Sequence, residues 1–72
     1  MKRNQWISVN ERFPNELPNK CISDYVLCHH KEGRYYVAYW HKGLEYWMTI
    51  CSIIINISNI THWMPIPKFN IE

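Results

Sequence analysis

Short runs rich in β-branched and aromatic residues, separated by glycine-containing turns, limit the fold of this chain more than any other feature. Three such runs cover residues 24–30, 34–41 and 44–50, and Gly33 and Gly43 lie in the turns between them. β-Branched and aromatic side chains favour extended backbone, and glycine supplies the positive φ that tight turns need. The pattern therefore predicts a mainly β fold, a small antiparallel meander that is twisted or partly closed, with the two chain ends packed near each other.

The rest of the chain adds a loop, two further strands and one alternative. Prolines and asparagines predict a loop over residues 10–20, and residues 53–57 and 60–64 predict strands about a tight turn at 58–59. Residues 44–55 also fit a helical stripe, which would give an α+β fold with one helix on a three-stranded sheet. We prefer the strand because this segment is rich in β-branched residues and lacks an N-cap.

Length, composition and charge exclude several classes of protein. The 72 residues, 47% hydrophobic and 19% charged, predict one folded domain over residues 1–72. The net charge is only +2 and the basic residues are scattered, so nucleic-acid binding is not favoured. Three cysteines, an odd number, predict reduced thiols in the cytoplasm, and the longest apolar run, residues 53–55, is too short for a membrane span.

Catalytic and metal-binding motifs are not found in the sequence. Cys28, His29 and His30 are consecutive and lack the spacing of a zinc site. The two glycines both lie in predicted turns, so no glycine-containing elbow supplies an oxyanion hole, and the carboxylates are dispersed. We therefore expect a protein that is not an enzyme and uses no metal or cofactor.

The predicted turns at 31–33 and 42–43 divide the side chains of the meander between two faces. This register puts Leu27, Val37 and Met48 on the core face. The opposite, outward face would carry four residues of types that are enriched at interface hot spots, namely Arg34, Tyr36, Trp40 and Trp47. We predict that they bind a partner; the alternative is that a terminal segment bearing Trp6 or Phe69 covers them.

The pair His62-Trp63 gives a second candidate position. Neighbouring residues of a strand point to opposite faces, so one of the two should be buried and the other exposed. The structural interpretation is that Trp63 closes the core while Pro65 and Pro67 end an edge strand. The functional interpretation makes His62 part of a binding site.

Both ends of the chain resemble a small phage and prophage family known as domain of unknown function 551. The resemblance rests on Trp6-Ile7-Ser8-Val9 and Arg12-Phe13-Pro14 at the start, and on Thr61-His62-Trp63-Met64-Pro65-Ile66-Pro67 at the end. It covers about residues 6–14 and 60–67 and implies a phage origin without implying an activity.

These observations lead us to expect a non-enzymatic phage-type binding protein. Its partner would be a host protein or ribonucleoprotein, and its role that of an inhibitor of a bacterial defence system, as anti-CRISPR proteins are; this last step is an analogy. It would act in the host cytoplasm and could form a homodimer. The alternatives are a small-ligand or nucleotide binder that uses the aromatic face, and a weak single-stranded nucleic-acid binder, which a steep salt dependence would identify.

Overall fold

A computed structural model describes residues 5–66 and places six strands of this part of the chain in one antiparallel sheet. The strands are β1 (Ile7–Ser8), β2 (Val26–His30), β3 (Tyr35–His41), β4 (Tyr46–Thr49), β5 (Ile54–Asn56) and β6 (Ile60–Pro65), in the spatial order β1-β6-β2-β3-β4-β5. The mainly β prediction is confirmed, and the sheet is not closed. The helical alternative for residues 44–55 is wrong, because β4 and β5 occupy that segment.

The connection between β5 and β6 shows that the sheet is strongly curled. On a flat sheet these two strands would lie about 19 Å apart, which is four strand spacings. Only a 3-10 turn, Ile57–Asn59, joins them, and a link of that length spans at most about 14 Å. The sheet must therefore bend toward its own edges, which creates a concave and a convex face. The predicted hairpin between these strands is wrong, since β6 pairs with β1 and β2.

The register of the first hairpin is confirmed and that of the second is not. Leu27 pairs with Val37 as predicted. Trp47 pairs with Trp40, whereas a two-residue turn would have placed it opposite Ala38. The turn is two residues longer because His41 accepts a hydrogen bond from the Leu44 backbone N–H at its ring Nδ1, 3.1 Å away, and Glu45 adopts a φ of 58°. This even-numbered shift leaves each side chain on its predicted face.

The assignment of the core to one of these faces is wrong. The buried cluster occupies the concave face and consists of Val26, Cys28, Ala38, Trp40, Trp47, Ile55, Ile60 and Trp63. The predicted core residues Leu27, Val37 and Met48 are half-buried on the convex face. The prediction failed because it considered only the terminal segments as a cover for the tryptophans.

The cover is the Phe13 loop, by which we mean residues 9–17. The Phe13 ring stacks on Trp40 with ring centroids 4.1 Å apart. Nε1 of Trp63 donates to the Arg12 carbonyl oxygen at 2.9 Å, and Glu16 forms an ion pair with Lys42, also at 2.9 Å. Since these contacts reach β6 and the turn after β3, the loop closes the concave face from one side to the other.

The two ends of the described chain are neighbours in the sheet, as predicted. Ile7 pairs with Trp63, and His62 pairs with both Ser8 and His29. Strand β6 is an interior strand, so the predicted edge strand ending at Pro65 is wrong. Val9 N–H donates to the Thr61 carbonyl oxygen, so the backbone groups of residue 61 face β1. By alternation those of residue 65 face the same side, where Pro65 has no N–H to donate. Pro65 lies beyond the end of the short β1, a position at which proline is tolerated. Pro67 and Phe69 lie outside the described residues.

Candidate functional site

The structure separates the five residues predicted to bind a partner. Trp40 and Trp47 are 5% and 0% exposed, so their predicted exposure is wrong. A partner could reach them only after the Phe13 loop moved away from the concave face. They stabilise the core instead, because aromatic rings of this size bury the largest apolar areas.

Arg34 and Tyr36 lie at the turn between β2 and β3. The Arg34 guanidinium is mostly exposed and lies 3.7 Å from the Glu32 carboxylate. A hydrogen bond with Tyr36, assisted by Glu32, raises the pKa of Arg34. The Tyr36 ring is half-buried against the core, with its centroid 5.8 Å from that of the buried His30. The Arg34–Tyr36 pair thus belongs to the rim of the concave face.

His62 lies on the convex face, in a cleft that we call the His cleft. The cleft has a volume of about 290 Å³ and is lined by Trp6, His29, Tyr35 and His62. The His29 centroid is 6.2 Å from that of Trp6, 5.4 Å from that of Tyr35 and 6.1 Å from that of His62. Trp6 and Tyr35 are 41% and 64% exposed, so both rings are accessible. Sequence reasoning identified only His62, because the order β1-β6-β2 that assembles the cleft is non-local.

One threonine hydroxyl joins the two histidines. The Thr61 Oγ1 atom lies 2.9 Å from Nδ1 of His29 and 2.9 Å from Nδ1 of His62. A register shift in the β2–β6 pairing near His29 accompanies this contact, and both Ile60 and Trp63 lie in the core. In a regular strand, residues three apart point to opposite faces. Ile60 and Trp63 can therefore both reach the core only because the strand contains an inserted residue. The same irregularity brings the Thr61 hydroxyl to the two imidazoles.

Outside the His cleft, the centre of the convex face is apolar. Side chains from five strands contribute to it, namely Leu27, Val37, Tyr39, Met48, Ile54 and Met64. Ile54 is 58% exposed and the others are half-buried, so residues 5–66 leave this face open to solvent. Charged residues lie at the turns on either side, where Lys31, Glu32, Arg34, Lys42 and Glu45 are exposed. An apolar centre between charged ends is typical of a protein-binding surface.

The thiols and the remaining polar groups show little chemistry. Burial raises the pKa of the Cys28 thiol to about 12, so it is protonated at neutral pH and is no nucleophile. Cys21 and Cys51 are exposed and not disulfide-bonded. Within residues 5–66, side chains of three or more His, Cys, Asp or Glu residues do not come together in a group that could hold a metal ion. The same residues contain no helix of the length and apolarity needed to cross a membrane.

Fold and surface together define a small antiparallel β protein with one covered face and one open apolar face. The chain belongs to the family described as Protein of unknown function (DUF551), whose model matches residues 5–68. This confirms the resemblance that the two ends of the sequence indicated. No curated protein and no solved structure matched the chain.

The matched region contains both ends that carried the resemblance, and the structure shows what several of their residues do. Trp63 and Phe13 complete the covered core, and the Arg12 guanidinium lies 5.3 Å from the Trp63 ring centroid. Trp6 and His62 instead face the open side, in the His cleft. The two ends therefore serve both the core and the surface.

Proposed function

We propose that this protein is a non-enzymatic binding domain that docks on a host protein through its convex face. The observation that carries the proposal is the open apolar surface formed by Leu27, Val37, Tyr39, Met48, Ile54 and Met64. Tyrosine and methionine are enriched where proteins bind one another, and charged residues are depleted at the centre of such surfaces. A nucleic acid is disfavoured because basic side chains do not contribute to this centre.

The size of the domain supports the same proposal. A 72-residue chain has few apolar side chains beyond those that its core needs. Exposing an apolar sheet face forgoes about 25 cal/mol for each square ångström left in water. A partner that covers this face recovers that free energy on binding.

A narrower form of the proposal makes the host protein part of a bacterial defence complex that the domain inhibits by occupying its surface in the host cytoplasm. Its support is the resemblance of the two chain ends to phage and prophage sequences. The corresponding assay is the plating efficiency of phage on cells with an active defence system, with and without the domain.

A charge placed at the centre of the convex face tests the docking proposal. Met48 pairs with Tyr39 on one side and Ile54 on the other, so Met48→Lys would put an ammonium group in the middle of the contact. The matched control is Asn15→Lys, at an exposed position of the Phe13 loop on the other side of the sheet. Both variants should stay folded by circular dichroism.

We expect the parent and Asn15→Lys to capture the same host protein, and Met48→Lys to lose it. With the purified partner, calorimetry should show at least a tenfold weaker Kd for Met48→Lys, about 1.4 kcal/mol or more. Undiminished binding by Met48→Lys would contradict the proposal. A dimer of the parent on a sizing column that Met48→Lys dissolves would instead assign the face to a second copy of the chain.

A further inference from the structure

We propose that the His cleft is a binding site for one neutral heteroaromatic ring of the nucleobase type. The site is distinct from the apolar centre of the convex face and does not depend on a protein partner. Its walls are the rings of Trp6, His29, Tyr35 and His62. At about 290 Å³ the cleft lies at the small end of the range for ligand pockets, which suits one ring system.

The spacing of the rings determines how a ligand would lie. The Trp6 and Tyr35 centroids are 5.9 Å apart with the planes tilted by 34°. A ring held between two others needs about 7 Å, twice the usual contact distance, so a ligand cannot enter between them. It must stack on the exposed surface of one of these rings with its edge toward the imidazoles. Base–aromatic stacking of this kind contributes measurably to affinity for every base.

The hydrogen bonds of Thr61 prepare the imidazoles to meet a polar edge. Its hydroxyl has one proton, and three atoms that could accept it lie nearby: Nδ1 of His29 and of His62, each at 2.9 Å, and the His29 carbonyl oxygen at 3.3 Å. Whichever acceptor takes that proton, at least one neutral imidazole must donate to the hydroxyl from Nδ1. That imidazole then carries an unprotonated Nε2, which is a hydrogen-bond acceptor.

The same argument limits what the second histidine presents. If Thr61 donates to one imidazole, the Nε2 of that ring carries a proton and donates; if Thr61 donates to the carbonyl, both Nε2 atoms accept. Of the two Nε2 atoms, at least one is thus an acceptor and the other is a donor or an acceptor. The edges of nucleobases carry donors and acceptors side by side, so they can match either arrangement.

The residue types of the four lining side chains disfavour an anionic group as the main determinant of binding. At neutral pH the described walls of the cleft provide no arginine or lysine to pair with a phosphate or carboxylate. A neutral ring with a polar edge remains the ligand that fits both the walls and the imidazoles.

The test is an NMR titration of the intact chain with adenosine, cytidine and p-cresol. p-Cresol is an aromatic probe without ring nitrogens. Adenosine or cytidine should shift the imidazole signals of His29 and His62 and saturate below ~10 mM, a weak affinity that suits a fragment-sized ligand. p-Cresol should bind at least several-fold more weakly. Equal binding of p-cresol, or nucleoside-induced shifts that exclude both histidines, would overturn the proposal.

Two variants and a control make the test specific. Tyr35→Ala removes a stacking surface at a position that is 64% exposed, so the fold should persist while nucleoside affinity falls about tenfold. His62→Phe keeps a ring but removes its nitrogens, and should weaken the nucleosides while sparing p-cresol. The control is Tyr25→Ala, at a position that is 40% exposed, where the Tyr25 ring meets the Tyr39 ring edge to face outside the cleft; it should change neither affinity. Unchanged nucleoside binding by a folded Tyr35→Ala would overturn the site.

An oligonucleotide identifies where the base comes from. If a short single strand binds much more tightly than the nucleosides and loses that gain in high salt, the cleft takes bases from a strand. If the strand gains nothing, the cleft takes a free nucleoside or base. Either result supports the site, and the Tyr35→Ala effect must appear in both.

Discussion

At the scale of single residues, Trp63 joins three parts of the molecule. Its indole is 4% exposed, Nε1 donates to the Arg12 carbonyl oxygen, and the Arg12 guanidinium lies over the ring. We expect Trp63→Ala to lower the free energy of unfolding by about 3–5 kcal/mol, since truncating a buried tryptophan leaves a large cavity. Small domains have only about 5–15 kcal/mol in total. Urea denaturation measures the loss.

The matched control is Trp63→Phe, which keeps most of the ring but removes the Nε1 hydrogen bond. It should cost about 1–3 kcal/mol, part of it from leaving the Arg12 carbonyl oxygen without its donor. An alanine variant with the parent's unfolding midpoint would show that the indole contributes nothing to the core.

Cys28 predicts how stability depends on alkaline pH. Burial raises the pKa of its thiol from 9.0 in the unfolded chain to about 12 in the folded one. The folded state therefore keeps its proton where the unfolded state loses it, so this contribution to stability is complete below about pH 9 and is lost as the pH rises toward 12. Each pH unit within that window costs up to about 1.4 kcal/mol.

Because lysines and tyrosines also titrate in this window, the measurement compares the parent with Cys28→Ala. The variant should be less stable at neutral pH but should lose stability less steeply with rising pH. Unfolding free energies at several alkaline pH values give the two slopes. Equal slopes would mean that the Cys28 thiol ionises in the folded state as easily as in the unfolded one.

At the scale of elements, the Phe13 loop is the part of the chain that turns a curled sheet into a core. Phe13 is half-buried and stacks on Trp40. We expect Phe13→Ala to cost about 2 kcal/mol and to expose Trp40 to solvent, because the loop would lose its main apolar contact. Thermal unfolding and quenching of tryptophan fluorescence by acrylamide measure both effects.

The exposed Asn10 on the same loop provides the control, and Asn10→Ala should leave both measurements unchanged. If acrylamide quenches the Phe13→Ala variant no more than the parent, the loop does not shield Trp40.

Element positions were predictable from the sequence where their cause is local. The β2–β3 register follows from a short turn at Gly33, whose φ of 93° only glycine adopts easily. The β3–β4 turn was predicted two residues too short, because His41 caps it with its side chain, an interaction that no hydropathy pattern reveals. The role of Phe13 was missed for a different reason, because its partner Trp40 is distant in sequence.

The candidate site divides in the same way. His62 stood out because it neighbours Trp63 in a strand, where alternation puts one residue in the core and the other outside. His29 and Tyr35 could not be joined to it, since the insertion of β6 beside β2 depends on contacts between the two ends of the chain. The choice of the core face failed for Trp40 and Trp47, because alternation sorts residues into two faces without saying which is covered.

At the scale of the whole molecule, the described part of the chain covers only one of the two faces of its single curled sheet. The Phe13 loop covers the concave face, and residues 5–66 leave the convex face open. Aromatic residues make up 15% of the chain, and the rings of Trp6, Tyr25 and Tyr35 remain at the surface. These exposed rings lie on the convex face, which the sequence analysis had assigned to the core. The two proposed binding regions both lie on this face.

The position of β6 between β1 and β2 also determines which strands can pair while the chain is still being synthesised. The hairpins from β2 to β5 involve near neighbours in sequence and can form as they emerge, whereas Ile7 must wait for Trp63. Until β6 has been synthesised, the Arg12 guanidinium cannot contact the Trp63 ring, and the core lacks the side chains of Ile60 and Trp63. A nascent chain stalled before residue 60 would thus leave the core tryptophans accessible to chaperones and proteases, and they would be protected only after β6 had been synthesised.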